Sequence, residues 1–209
     1  MLTLLGVDHG FGTMKASLPS DRFRGFRQVH GVHVPEVRAG FAGETVEADG
    51  GWTREERVTL GVFTADCLPV LLAGPEGEAV AALHAGWRGA VRGIVPVGIR
   101  NIREATGLSP KDLTVVVGPC IGACCYAVGP EVWEEVGRYN PGFKPGKNCE
   151  GSLDLAALVR HQITEEGIPP ERIGQVGLCT RCHPDLFFSH RGMGESRRGR
   201  TMINYVRRT

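Results

Sequence analysis

A chain of 209 residues with 42% hydrophobic side chains can bury a substantial core and has the length of one domain, taken here as residues 1–209. The formal net charge of +1 and the scatter of basic residues exclude the basic stripe that follows a nucleic-acid backbone or an anionic membrane. No stretch reaches the length of a membrane span and the start of the chain does not resemble a secretory signal, so a cytoplasmic protein is expected, with no nucleic-acid or membrane partner. In that compartment the seven cysteines read as thiols, ligands or catalytic groups before disulfides.

In chain order, Leu2 to Val7 reads as a short strand, followed by a polar, glycine-containing run and then the segment around His30. Phe41 to Arg57 is rich in glycine and charge, as in an exposed loop or hairpin. Val58 to Thr64 and Val70 to Leu72 are apolar runs flanking Cys67, and Ala79 to Leu83 leads into His84, so both residues are expected at strand ends. Val91, Ile94, Val95, Ile99 and Ile102 follow a helical period that Gly107 stops, and Pro96 inside it predicts a kink or a later helix start. Leu113 to Val117 reads as a buried strand, Pro130 to Val136 and Leu155 to Glu166 as helices, and Gln175 to Leu178 and Thr201 to Val206 as closing strands. The alternation favours a layered mixed α/β fold, with hairpin-like stretches pointing to a mixed sheet.

His30, Cys67 and His84 are the candidate metal ligands. Imidazole nitrogen and thiolate sulfur suit zinc, and three protein ligands leave a fourth position open for chemistry. Alone, His30 is an ordinary loop histidine and Cys67 a small buried hydrophobe. Asp66 and Pro69, however, interrupt the apolar run around Cys67, which a merely structural thiol does not require. In His84-Ala-Gly86-Trp87-Arg88-Gly89 a strand gives way to a helix. Small residues allow close backbone approach, exposed amides favour an anion, and Arg88 suits a phosphate clamp, unless it pairs with a carboxylate and Trp87 is core.

Cys120 and Cys124 lie one residue too far apart for a zinc-deaminase Pro-Cys-x-x-Cys motif, although Cys120 is a candidate for lining the site. Cys179-Thr-Arg-Cys182-His183 matches c-type haem attachment, which the missing export signal opposes. A structural zinc on Cys179 and Cys182 needs two more ligands, and with only Cys149 as an obvious spare these thiols read as ordinary buried or surface groups.

Taken together, Arg27-Gln-Val-His-Gly31, Thr64-Ala-Asp-Cys-Leu-Pro-Val-Leu-Leu72, Leu83-His-Ala-Gly-Trp-Arg-Gly89, Gly118-Pro-Cys-Ile-Gly-Ala-Cys-Cys-Tyr126, Leu153-Asp-Leu155 and Cys179-Thr-x-Cys-His-Pro-Asp-Leu-Phe-Phe-Ser189 cover nearly the whole chain. In this set the sequence resembles the family described both as multicopper polyphenol oxidases, or laccase-domain proteins, and as purine nucleoside phosphorylases. The resemblance implies a three-layer α/β/α sandwich with a mixed sheet, and a zinc site of His30, Cys67 and His84. It further implies phosphorolysis of adenosine, inosine, guanosine and S-methyl-5′-thioadenosine by inorganic phosphate, with hydrolytic deamination of adenosine to inosine. In such an enzyme Cys67, His84, His30 and Asp66 are the catalytic candidates, Asp66 as a proton shuttle, and Arg88, Gly86, Trp87 and Cys120 the substrate-binding ones. The sequence departs from the family's pattern before Gln28, where its Ser-Leu-Asn-Leu-Gly stretch and Asn-Arg pair are missing, and at His190, where the family carries tyrosine. Two rival activities are a copper-dependent phenol oxidase on the same ligands and a cysteine hydrolase with Cys67 as nucleophile and His84 as base. No protein partner is indicated.

Overall fold

A computed structural model describes residues 7–15, 23–41, 45–144 and 151–209. Most of the expected strand Leu2 to Val7, and Cys149, lie outside the described residues.

Two mixed sheets carry the fold. The first four strands are β1 (Val7–Phe11), β2 (Phe23–Arg24), β3 (Gly50–Thr53) and β4 (Thr59–Thr64), and β5 (Leu68–Ala73), β6 (Val80–Ala85), β7 (Thr114–Val117), β8 (Ile173–Gln175) and β9 (Met202–Arg208) follow. One sheet has the order β1-β9-β4-β2 and the other β3-β6-β5-β7-β8. The pairs β2/β4 and β7/β8 are parallel and the remaining pairs antiparallel. The mixed α/β class expected from the sequence is therefore the class observed.

Side chains alternate across the five-stranded sheet because successive strand residues point to opposite faces. Leu68, Val70, Leu72, Ala81, Leu83, Val115 and Val117 pack against the helices. Leu71, Ala73, Val80, Ala82 and Val116 pack with Leu60, Val62 and Val206 of the four-stranded sheet. Both faces are buried, which is why β5 and β6 read as unbroken apolar runs. Among the described residues the helices thus pack on one face of the five-stranded sheet and the four-stranded sheet on the other.

The helical layer comprises α1 (Trp87–Val91), α2 (Ile94–Thr106), α3 (Pro130–Tyr139) and α4 (Leu155–Glu165), and the single turn α5 (His190–Met193) lies by the site. The expected interruption near Pro96 is a complete break. Gly93 takes the left-handed conformation at φ 83°, and Pro96 falls in the first turn of α2, where its missing amide has no helical partner to lose. Gly107 ends α2 in the same left-handed conformation at φ 76°.

Several boundaries differ from expectation, among them that of β1, which covers Val7–Phe11 where a polar run was expected. Residues 50–53 form a buried strand rather than exposed loop, because glycine permits close approach: a Cβ at Gly50 would sit 2.5 Å from the Ala82 carbonyl, and one at Gly51 2.5 Å from the Phe26 ring. The strand expected from Gln175 is already ending there, since Ile173–Gln175 pairs with β7 and Gly177 turns the chain at φ 73°.

The one-and-a-half turns of α1 need help from outside. Asn140 donates to the Val91 carbonyl at 2.9 Å, and Gln162 donates to the Ala90 carbonyl at 2.8 Å and to Asn140 Oδ1 at 2.7 Å. These buried bonds satisfy carbonyls that a helix C-terminus leaves open. Asn140→Ala is expected to cost about 1–3 kcal/mol, because it strands the Val91 carbonyl and one Gln162 donor away from water. Urea unfolding at matched metal content checks this, and an unchanged midpoint contradicts it.

Candidate metal and substrate site

The site forms where β5 begins and β6 ends. Antiparallel pairing sets Leu68 opposite Ala85 and Pro69 opposite His84, so Cys67, one residue before β5, arrives beside the end of β6. His30 comes in on the loop before β3. The ligand atoms of His30, Cys67 and His84 all lie within 4.8 Å of one another, and the two imidazole rings meet edge to face at 4.8 Å. The three sequence-predicted ligands are therefore brought together from three separate segments.

Asp49, which the sequence reading passed over inside the supposed loop, holds this arrangement. Its carboxylate is fully buried; Oδ2 accepts from the amides of Val29 and Gly31 at 3.1 and 2.7 Å, and Oδ1 from the His30 amide at 2.8 Å. Three successive amides around one anion form a nest, and His30 takes the left-handed conformation at φ 60° that aims them. Asp49 Oδ1 also lies 2.8 Å from His84 Nδ1, and the Asp49 carbonyl accepts the His84 amide at 2.7 Å. Burial alone raises a carboxylic acid's pKa, but the His84 bond and the amides of Gly31 and Val29 outweigh it and hold Asp49 below the usual carboxylate value. With Nδ1 committed to Asp49, Nε2 is the His84 nitrogen left for a metal.

Burial pushes the Cys67 thiol up, yet hydrogen bonds from His30 and His84 prevail and bring it down to about 7. Burial disfavours a charged His84, yet its bonds to Asp49 and Cys67 raise it to about 9. Between those values Cys67 and His84 meet as thiolate and imidazolium, a state that a metal replaces by expelling the histidine proton. Two histidines and a thiolate, one imidazole oriented by a buried carboxylate, fit zinc and copper alike.

Gly86 has no room for a side chain, since a Cβ there would collide with His30 Nδ1 and lie 3.4 Å from Cys67 Sγ. Its role is thus to let the ligands close up. A cavity of about 600 Å³ opens over the ligand set, lined by Phe26, Phe63, Trp87, Tyr126, Arg88 and Arg191 among others. Arg88 stacks on the Trp87 ring at 4.4 Å and, among the described residues, has no carboxylate within ion-pair distance. Because α1 is only five residues long, its aligned amides add little at its N-terminus, and the guanidinium is the stronger anion group.

Asp66 lines the cavity with both carboxylate oxygens engaged: the Thr180 hydroxyl donates to Oδ1 at 2.6 Å and the Arg191 amide to Oδ2 at 2.7 Å. Cys120 is buried in the core, its thiol facing the Ile121 carbonyl, and it is not among the lining residues. Arg191, Arg197, His190 and Gln28 also line the cavity. Gln28 and Tyr126 lie inside motifs that carry the family resemblance, and Arg191 follows His190 in the stretch that matches the family's pattern in part, whereas Arg197 sits in an arginine-rich segment with no pattern of its own.

The family model described as "Multi-copper polyphenol oxidoreductase laccase" matches residues 11–208. The chain belongs to this family. Purine nucleoside phosphorylase YlmD of Geobacillus stearothermophilus is 33% identical over 188 residues, covering 84% of this chain and 69% of the relative. Purine nucleoside phosphorylase LACC1 of Homo sapiens is 33% identical over 150 residues, covering 68% of this chain but 34% of its own length. The chain likewise spans 56% of YlmD from Bacillus subtilis, at 34% identity. The crystal structure of the Geobacillus YlmD superposes with a TM-score of 0.84 at 27% identity, covering 98% of this chain and 93% of that one. A Bacillus licheniformis protein, YfiH, gives 0.83 at 25% identity, with 97% and 93% covered. No helix among the described residues is long and apolar enough to cross a membrane.

In this member of the laccase-domain family, Asp49→Asn is expected to weaken metal binding by about 10–100-fold, because it takes the charge from the His84 bond and turns an amide group toward the nest. Competition with a chromogenic chelator checks this, and wild-type affinity contradicts it.

Proposed function

We propose that the chain is a zinc-dependent purine nucleoside phosphorylase. It cleaves adenosine, inosine, guanosine and S-methyl-5′-thioadenosine with inorganic phosphate to the free base and (thio)ribose 1-phosphate, and it deaminates adenosine by hydrolysis at the same site. The observation that carries this reading is the cavity itself, in which the His30–Cys67–His84 set adjoins aromatic walls and basic side chains. Its volume of about 600 Å³ lies within the range of small-molecule sites. The names of the YlmD and LACC1 relatives support the same reading.

Phe26, Phe63 and Tyr126 offer faces for a purine ring. Arg88, held by Trp87, and Arg191, anchored through its amide to Asp66, bind and orient phosphate. Positioning a phosphate oxygen against the anomeric carbon turns an encounter of two molecules into a step within one complex. The phosphate oxygen bonds to that carbon as its bond to the purine breaks, the electron pair leaves with the base, and a ring nitrogen takes up the proton that hydrogen phosphate gives up. Burial, then the nearby Cys67 charge, pushes the Tyr126 hydroxyl up to about 12, so it stays a hydrogen-bond donor in the cavity. Zinc on the ligand set supplies Lewis acidity at the cavity floor. In deamination, water adds at C6 of adenine and ammonia leaves. Asp66 positions Arg191 through the Arg191 amide, and each of its oxygens, holding one hydrogen bond, keeps a lone pair that can carry a proton.

Chromatography of adenosine reactions with and without phosphate tests the proposal. Phosphate-dependent adenine and some inosine are expected. Cys67→Ala and His84→Ala should each lower both products by at least about 100-fold. Arg88→Ala should raise the KM for phosphate by about tenfold with a smaller effect on the nucleoside. Full activity after complete metal removal would instead favour the cysteine hydrolase, and dioxygen uptake with phenols in copper-loaded protein, without nucleoside turnover, the oxidase.

A further inference from the structure

Across the loops behind Asp66 lies a set of groups that the proposed reaction leaves unused. Cys124, Cys125, Cys179 and Cys182 have sulfur atoms that all fall within 4.8 Å of one another. The Cys182 sulfur is 3.5 Å from that of Cys125 and 3.7 Å from that of Cys124. A disulfide would hold two sulfurs at about 2.05 Å. A tetrahedral ion with bonds of about 2.3 Å to sulfur sets its ligands about 3.8 Å apart. The spacing observed matches the tetrahedron, and it is too tight for thiolates spread around a cluster of several irons.

The backbone is arranged to serve these sulfurs. The Gly122 amide donates to Cys179 Sγ at 3.3 Å, and the Cys182 amide points at the same atom. Amides aimed at a sulfur favour its thiolate form, the form that binds a metal. The Gly122–Cys125 turn closes through a bond from the Cys125 amide to the Gly122 carbonyl at 2.9 Å. Cys120 and Cys179 form a bridge of parallel backbone, with the Thr180 amide donating to the Cys120 carbonyl at 3.0 Å. The two turns are thereby held face to face before any ion binds.

We propose that Cys124, Cys125, Cys179 and Cys182 form a second, structural metal site that takes one zinc ion as a tetrathiolate. Binding releases the thiol protons to solvent and forms four zinc–sulfur bonds, with no change of oxidation state. The ion staples the loop carrying Ile121 and Tyr126 to the loop carrying Thr180, and so fixes two walls of the cavity and the hydroxyl that holds Asp66. Along the sequence, Cys149 is the only obvious spare thiol for Cys179 and Cys182. The structure supplies Cys124 and Cys125, more than fifty residues away, in its place.

The test uses the full chain carrying Cys67→Ala and His84→Ala, in which the first ligand set is dismantled. This variant should retain about one zinc per chain, and zinc-edge X-ray absorption should show four sulfur neighbours at about 2.3 Å. Adding Cys182→Ser should remove that zinc and open the remaining three thiols to alkylation. Wild-type protein provides a reading that does not depend on any variant's folding: its average zinc shell should hold more sulfur than nitrogen. A wild-type shell richer in nitrogen than sulfur, iron in place of zinc, or these four cysteines recovered as disulfides by intact mass would overturn the proposal.

Discussion

The whole site depends on one buried carboxylate. Removing Asp49 from water has an effective cost of several kcal/mol unless its charge is met by donors. The amides of Val29, His30 and Gly31 and the imidazole of His84 meet it. That requirement reaches in two directions. It forces the His30 loop into a left-handed conformation it would not adopt unaided, and it occupies one nitrogen of His84 so that the other faces Cys67 and His30. A residue that touches no substrate thus determines where two of the three ligands stand.

A second carboxylate repeats the device on the other side of the cavity. Asp66 lies on the short connection by which the chain leaves the four-stranded sheet at Thr64 and enters the five-stranded one at Leu68, and it is itself left-handed at φ 87°. Its oxygens draw in Thr180 and the start of α5, and its carbonyl accepts the Ile121 amide at 2.9 Å. Arg191 and the loop of Ile121 and Tyr126 are therefore joined through short hydrogen bonds to the one residue that precedes Cys67, while the packed sheet behind them keeps the ends of β5 and β6 in register. Rigid support of this kind is what lets a site hold its geometry before a metal or substrate arrives.

Much of this was legible in the sequence, and the limits have physical causes. Cys67 and His84 stood out because each lies where an apolar run ends, and His30 through the Arg27-Gln-Val-His-Gly31 motif rather than any apolar pattern. Helices α2 and α4 were legible because Ile94, Ile99 and Ile102, and Leu155, Leu158 and Ile163, repeat at the helical period. Asp49 was not, because an aspartate followed by two glycines resembles any turn; only the tertiary contact that buries Gly50 and Gly51 against Ala82 and Phe26 turns it into a strand start. The cysteine cluster was hidden for a related reason. Its halves lie far apart in the chain, and tertiary contacts, the backbone bridge between Cys120 and Cys179 among them, bring them together. Arg197 was not legible because charge carries no periodicity, and the pocket that gives it meaning is assembled from distant segments.

Asp49 fixes His84 as the Nδ1-protonated tautomer and leaves Nε2 for a metal. Long-range proton–nitrogen NMR of histidine-labelled, zinc-loaded protein observes this directly. The expected spectrum shows a His84 ring with its proton on Nδ1 and a metal-shifted Nε2. A ring with metal on Nδ1 and the proton on Nε2 would contradict it, since Asp49 would then have no hydrogen bond from the imidazole it is held to orient.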